Sequence, residues 1–166
     1  MKSTKKLAVS AVLLSLALAL SYTERFIPLQ LLIPLPGVKL GLANIVTIIS
    51  LYCLEPGYTF AIVILRSLMG SLFSGGITSF LFSLFGGLLS AVLMTYAVKC
   101  KYLSVYGVSI LGAAAHNLGQ ICAAAILMKS FYVAAYFPYL LIVGIFTGFA
   151  VAAVSAGILK ILSSVL

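Results

Sequence analysis

Apolar residues in this chain come in long continuous runs, separated by short polar or Pro/Gly-rich breaks. Six runs can be read, roughly Leu7 to Tyr22, Val38 to Leu54, Tyr58 to Phe73, Ile77 to Val98, Leu103 to Met128 and Phe131 to Leu159. Pro28, Pro34 and Pro36 mark the first break, "EPG" at Glu55 the second, Gly75 and Gly76 the third, and "KCKY" from Lys99 the fourth. About 20 apolar residues let an α-helix cross ~30 Å of hydrocarbon, whereas strands of a membrane barrel would alternate. The first and third runs are short for a full crossing. The pattern predicts an all-α integral membrane protein, a compact bundle of six transmembrane helices, with residues 1–166 as a single transmembrane domain.

Composition agrees with this pattern. The chain is 64% hydrophobic and 7% charged, so a soluble domain of 166 residues could not hide its apolar surface. The net charge of +8 invites a nucleic-acid partner, but the basic residues lie at segment ends and form no patch. The lipid bilayer is the expected surrounding instead. With the N-terminus in the cytoplasm, Lys2, Lys5, Lys6, Lys99, Lys101 and Lys160 lie inside, while Arg25, Lys39 and Lys129 lie outside. That excess predicts cytoplasmic termini. Lys2, Lys5 and Lys6, an apolar run and Ala17-Leu18-Ala19 also fit a cleavable secretory leader. Cleavage would leave an odd number of spans and an outward N-terminus. The cysteines Cys53, Cys100 and Cys122 show no metal-ligand spacing, and His116 is the one histidine.

Polar residues placed by depth converge. The second run descends from outside, with Lys39 at its rim and Asn44 roughly 7–8 Å lower at 1.5 Å per residue. Arg66 falls near the midplane of the third run, and His116 and Asn117 near that of the fifth. Gln120 shares a helix face with His116 at i, i+4. An arginine at this depth costs at least ~2.5 kcal/mol unless it faces protein or water. The only acids, Glu24 and Glu55, are expected in loops, leaving Arg66 without a buried carboxylate. A cation lacking a protein counter-ion points to a ligand that supplies the anion. Lys39, Asn44, Arg66, His116, Asn117 and Gln120 are therefore candidate substrate-binding residues of an outward-opening polar cavity.

Each also has a structural alternative. Arg66 could bond to backbone carbonyls or snorkel, and Lys39 could anchor at the interface. Asn44, His116 and Asn117 could join helices. Tyr132, Tyr136 and Tyr139 recur at i, i+4 and i+7, as an aromatic belt or as a stacking wall for a planar or prenyl-like ligand, with Tyr136 the candidate contact. Pro138 is expected to kink the sixth helix. Ala8, Ala11, Ser15 and Ala19 form a smooth stripe on the first helix, suited to bundle packing or to a partner helix.

"PGVKLGLANIV" (36–46), "LRSLMGSLFSG" (65–75), "SLFGGLLSAVLM" (83–94) and "GAAAHNLGQ" (112–120) resemble the Gx transporter family. That family is often labelled heptaprenyl diphosphate synthase component I and is related to the S components of energy-coupling factor (ECF) transporters. The resemblance implies an S component in a bacterial cell membrane that captures a vitamin-like or precursor molecule at the outer face. It also implies a transmembrane coupling subunit and two ATPase subunits as partners, with ATP hydrolysed by those partners and no cofactor in this chain. Ala11, Ser15 and Ala19 would meet the coupling subunit, and the loop from Tyr22 to Pro36 would gate the site. The synthase label fits the residues poorly. Carboxylates hold magnesium diphosphate in such enzymes, and this chain has two acids and no aspartate cluster. It has no P-loop either.

Overall fold

The computed structural model describes residues 3–27, 39–74 and 76–165, apart from the side chains of Arg25, Ser74 and Val165. All its regular elements are helical. They are α1 (Ser3–Thr23), a 3-10 turn (Glu24–Phe26), α2 (Asn44–Cys53), α3 (Pro56–Ser74), α4 (Gly76–Lys99), α5 (Val105–Met128), a second 3-10 turn (Phe131–Tyr136) and α6 (Phe137–Val165). Five of the helical stretches are long and apolar enough to cross a membrane. Lys2, Pro28, Pro34, Pro36, Gly75 and residues 28–36 of the gate expected from Tyr22 to Pro36 lie outside the described residues, and the first two residues of that gate, Tyr22 and Thr23, belong to α1.

The second helix departs from expectation. It begins at Asn44 instead of Val38 and has 10 residues, about 15 Å at 1.5 Å per residue. Residues 38–43 are as apolar as a helix needs, but Gly41 takes φ +83°, a left-handed conformation that halts a helix and that glycine adopts readily. The turn that follows closes through Asn44 N–H donating to Gly41 O at 2.9 Å and Ile45 N–H donating to Leu42 O at 3.0 Å. α2 is short but central: it touches each of the other helices, and every residue from Asn44 to Ser50 is buried.

Local signals explain the other boundaries. Pro56 opens α3, where its missing N–H costs nothing. Ser104 caps α5, its hydroxyl accepting from Gly107 N–H at 3.4 Å, and Lys129 ends the helix in the left-handed region at φ 48°. Pro138 lies in the first turn of α6, so it starts that helix and does not kink it.

Close packing of α5 against α4 and α6 rests on glycine. A Cβ at Gly119 would lie 2.4 Å from Phe85 O and 2.8 Å from Gly86 Cα, so the two backbones touch there. Two apolar clusters result. One gathers Leu13, Ile48, Ile62, Met94, Val108 and Val151 toward the end that carries the chain termini. The other gathers Phe82, Ile121, Ala124, Val133 and Leu140 toward the opposite end. The exterior is apolar as well: Phe146 is 73% exposed and Phe149 58% exposed, as lipid-facing side chains should be.

Candidate functional site

Between the two apolar clusters lies a polar layer. Arg66 on α3, His116 and Gln120 on α5 and Asn44 at the head of α2 are all buried in it, and Lys39 and Ser83 are half-buried. Arg66 and His116 each sit near the middle of a long helix.

Gln120 organises the layer. Its Nε2 donates to Lys39 O at 3.1 Å, and its Oε1 accepts from Lys39 N–H at 3.4 Å. This two-point pairing seals the non-helical backbone ahead of α2, which could not otherwise lie at membrane depth. It also fixes the amide orientation, because a flipped amide would set oxygen against oxygen. Gln120 Nε2 is 2.8 Å from His116 Nε2. With the amide nitrogen as donor, His116 Nε2 must accept, so the ring is neutral with its proton on Nδ1. Lys39 Nζ donates to Ser83 Oγ at 3.0 Å.

The structure corrects one expectation about charge. Glu24 is not in an open loop: α1 runs to Thr23, and the 3-10 turn folds Glu24 inward until it is 6% exposed. Its Oε1 accepts the Leu42 N–H at the entrance to α2. Burial pushes its carboxyl above the usual range; the Leu42 N–H, then the nearby charges of Arg66 and Lys39, pull the other way. Arg66 therefore has a carboxylate in its field, although its 5% exposure keeps it from water.

The layer is incompletely satisfied. Among the described residues, four buried side-chain polar atoms lack a hydrogen-bond partner: Asn44 Oδ1, Arg66 Nε and His116 Nδ1 in this layer, and Ser155 Oγ on α6. His116 Nδ1 lies against Gly86, where a Cβ would come within 2.9 Å of it. A Cβ at neighbouring Gly87 would meet Arg66 Nη2 at 3.0 Å. The Gly86-Gly87 pair thus lets both side chains pack against the α4 backbone. Buried polar groups in folded proteins are nearly always paired, so orphans gathered in one layer mark a place for a further polar group.

Other sequence candidates lie elsewhere. Asn117 points to α6, donating from Nδ2 to Leu140 O at 2.7 Å. Asn117→Ala should cost about 0.6–1.7 kcal/mol of stability, the range for interhelical bonds in membranes, and leave anion binding unchanged. Melting and titration of the purified variant check this. Tyr132 and Tyr136 lie on the second 3-10 turn and Tyr139 on α6, and all three are exposed. On α1, Ala11, Ser15 and Ala19 are exposed while Leu13 and Ala17 are buried, so the small-residue stripe faces away from the bundle. Ser15 Oγ donates to Ala11 O at 3.0 Å, which leaves that stripe without an unpaired hydroxyl proton. Sequence reasoning missed Ser83, which carries no distinguishing signal, and Glu24, whose proximity to the end of the first run was the available clue.

An all-helical bundle with an apolar exterior and an enclosed charged layer defines a polytopic membrane protein with an internal polar site. The chain belongs to the family described as heptaprenyl diphosphate synthase component I, which matches residues 13–158 and so includes every residue of the layer. This is the family that the motifs of the sequence resemble. No curated protein and no solved structure matches the chain.

Proposed function

We propose that this protein is the substrate-binding subunit of an ECF-type importer, capturing a small, partly apolar anion for uptake driven by partner ATPases. The observation that carries this is Arg66, a cation held inside a membrane bundle with Nε unpartnered. A ligand oxygen would supply what that guanidinium lacks. Lys39, Asn44, His116 and Gln120 belong to the same layer, with Glu24 as the resident counter-charge. The outward stripe of Ala11, Ser15 and Ala19 suits a close-fitting coupling subunit, and the membrane orientation that follows from the lysines puts both termini in the cytoplasm.

A synthase role is not favoured. The chain's two acids are both engaged: Glu24 at the head of α2, Glu55 in an ion pair with Lys6. Neither belongs to a carboxylate cluster able to ligate magnesium diphosphate.

Native mass spectrometry of gently solubilised protein tests the proposal. The expected result is a stoichiometric small molecule with an acidic group, and recovery of a coupling subunit with ATPases in a pull-down. Turnover of a prenyl diphosphate by the purified chain alone would establish the synthase role instead.

A further inference from the structure

Resting on that proposed function, we infer that the polar layer is made for one negative charge: its ligand is a monoanion that also offers a hydrogen-bond donor to Asn44, and not a diphosphate or other polyanion. The charges are countable. Among the described side chains, Lys39 and Arg66 bring two positive charges into the layer and Glu24 brings one negative charge. The remaining acid of the chain, Glu55, is paired with Lys6 on α1, away from the layer. His116 adds nothing, because Gln120 donates to its Nε2 and keeps the ring neutral. Counted over the described side chains, the layer thus lacks a single negative charge.

The unpartnered atoms describe the ligand's polar groups. Arg66 Nε is a donor and calls for an acceptor oxygen. Asn44 Oδ1 is an acceptor and calls for an O–H or N–H. Asn44 is 2% exposed and Arg66 5% exposed, so water from outside does not substitute freely. A carboxylate matches the first of these and a hydroxyl or amide the second. A polyanion brings surplus charge that no further cation among the described side chains of the layer would meet. Each surplus charge should weaken binding by roughly 50-fold or more, by the cost of an uncompensated charge at membrane depth.

The test uses purified full-length protein in an uncharged detergent, melted against sodium acetate, glycolate, sulfate and pyrophosphate. The signal is the stabilisation that Arg66→Met removes. Glycolate should stabilise most, since it adds a hydroxyl to the charge and size of acetate; acetate should follow, and sulfate and pyrophosphate should trail. Glu24→Gln keeps an acceptor for Leu42 N–H but removes the resident charge, so sulfate should gain at least tenfold in apparent affinity on that variant. Sulfate or pyrophosphate outranking the carboxylates on the wild type would overturn the single-charge inference while leaving an anion site intact. If no anion gave Arg66-dependent stabilisation, the site proposed under the importer function would fall as well. Should Glu24→Gln not fold, the wild-type ranking still decides.

Discussion

Arg66→Met should separate stability from binding in opposite directions. Hydrogen bonds to a charged group contribute about 1.5–3 kcal/mol, so losing the guanidinium should weaken anion binding roughly 10- to 150-fold. The ligand-free variant should nonetheless melt at or above the wild-type temperature. Arg66 is buried, and its Nε donates to nothing among the described residues. Replacing enclosed ionic groups by apolar ones of similar volume is often neutral or stabilising, by about 1–4 kcal/mol. The gain is limited here because Glu24 loses one of its two nearby cations. Thermal melting with and without acetate checks both arms. A variant that melts far below the wild type would make Arg66 a structural residue.

Gly119→Ala should be the most damaging single methyl in the bundle. The atoms it would meet are Phe85 O at 2.4 Å, Phe85 C at 2.7 Å and Gly86 Cα at 2.8 Å, all of them backbone. Relief requires α4 and α5 to move apart, and overpacking of this kind costs about 1–3 kcal/mol or more. Separation would also shift Gly86 from His116, so binding should weaken together with stability. Gly112→Ala is the control on the same helix pair. The three atoms nearest its new methyl all belong to the Met94 side chain, a flexible group that can re-orient. Melting of both variants should therefore rank Gly119→Ala well below Gly112→Ala, and a reversed order would mean that α4 and α5 are not in backbone contact.

The number and order of helices were legible because a membrane span declares itself locally, as a run of apolar residues with breakers at its ends. The head of α2 was not legible for the opposite reason. Val38 to Ala43 is as apolar as the helix that follows, and what diverts it is contact with Glu24 and Gln120, far away in sequence. His116 and Gln120 could be placed on one face because they stand four residues apart on a regular helix. Asn117, adjacent to His116, could not be separated from it without knowing where α6 packs. The tyrosines show a third limit: the sequence does not mark that the chain winds as a 3-10 turn up to Tyr136 before α6 begins. Ser83 was silent because serines are common in helical membrane spans and only the approach of Lys39 distinguishes this one.

The net positive charge of the layer has an electrical consequence. A subunit that changes its orientation in the bilayer carries its internal charge through the membrane voltage, which does about 2.3 kcal/mol of work per elementary charge per 100 mV. The empty layer, with Lys39 and Arg66 against Glu24, would feel that force in full if it crossed the whole potential drop. The layer filled by a monoanion would feel none. On the proposed function, loading would then remove the layer's own share of the force that the voltage exerts on the subunit.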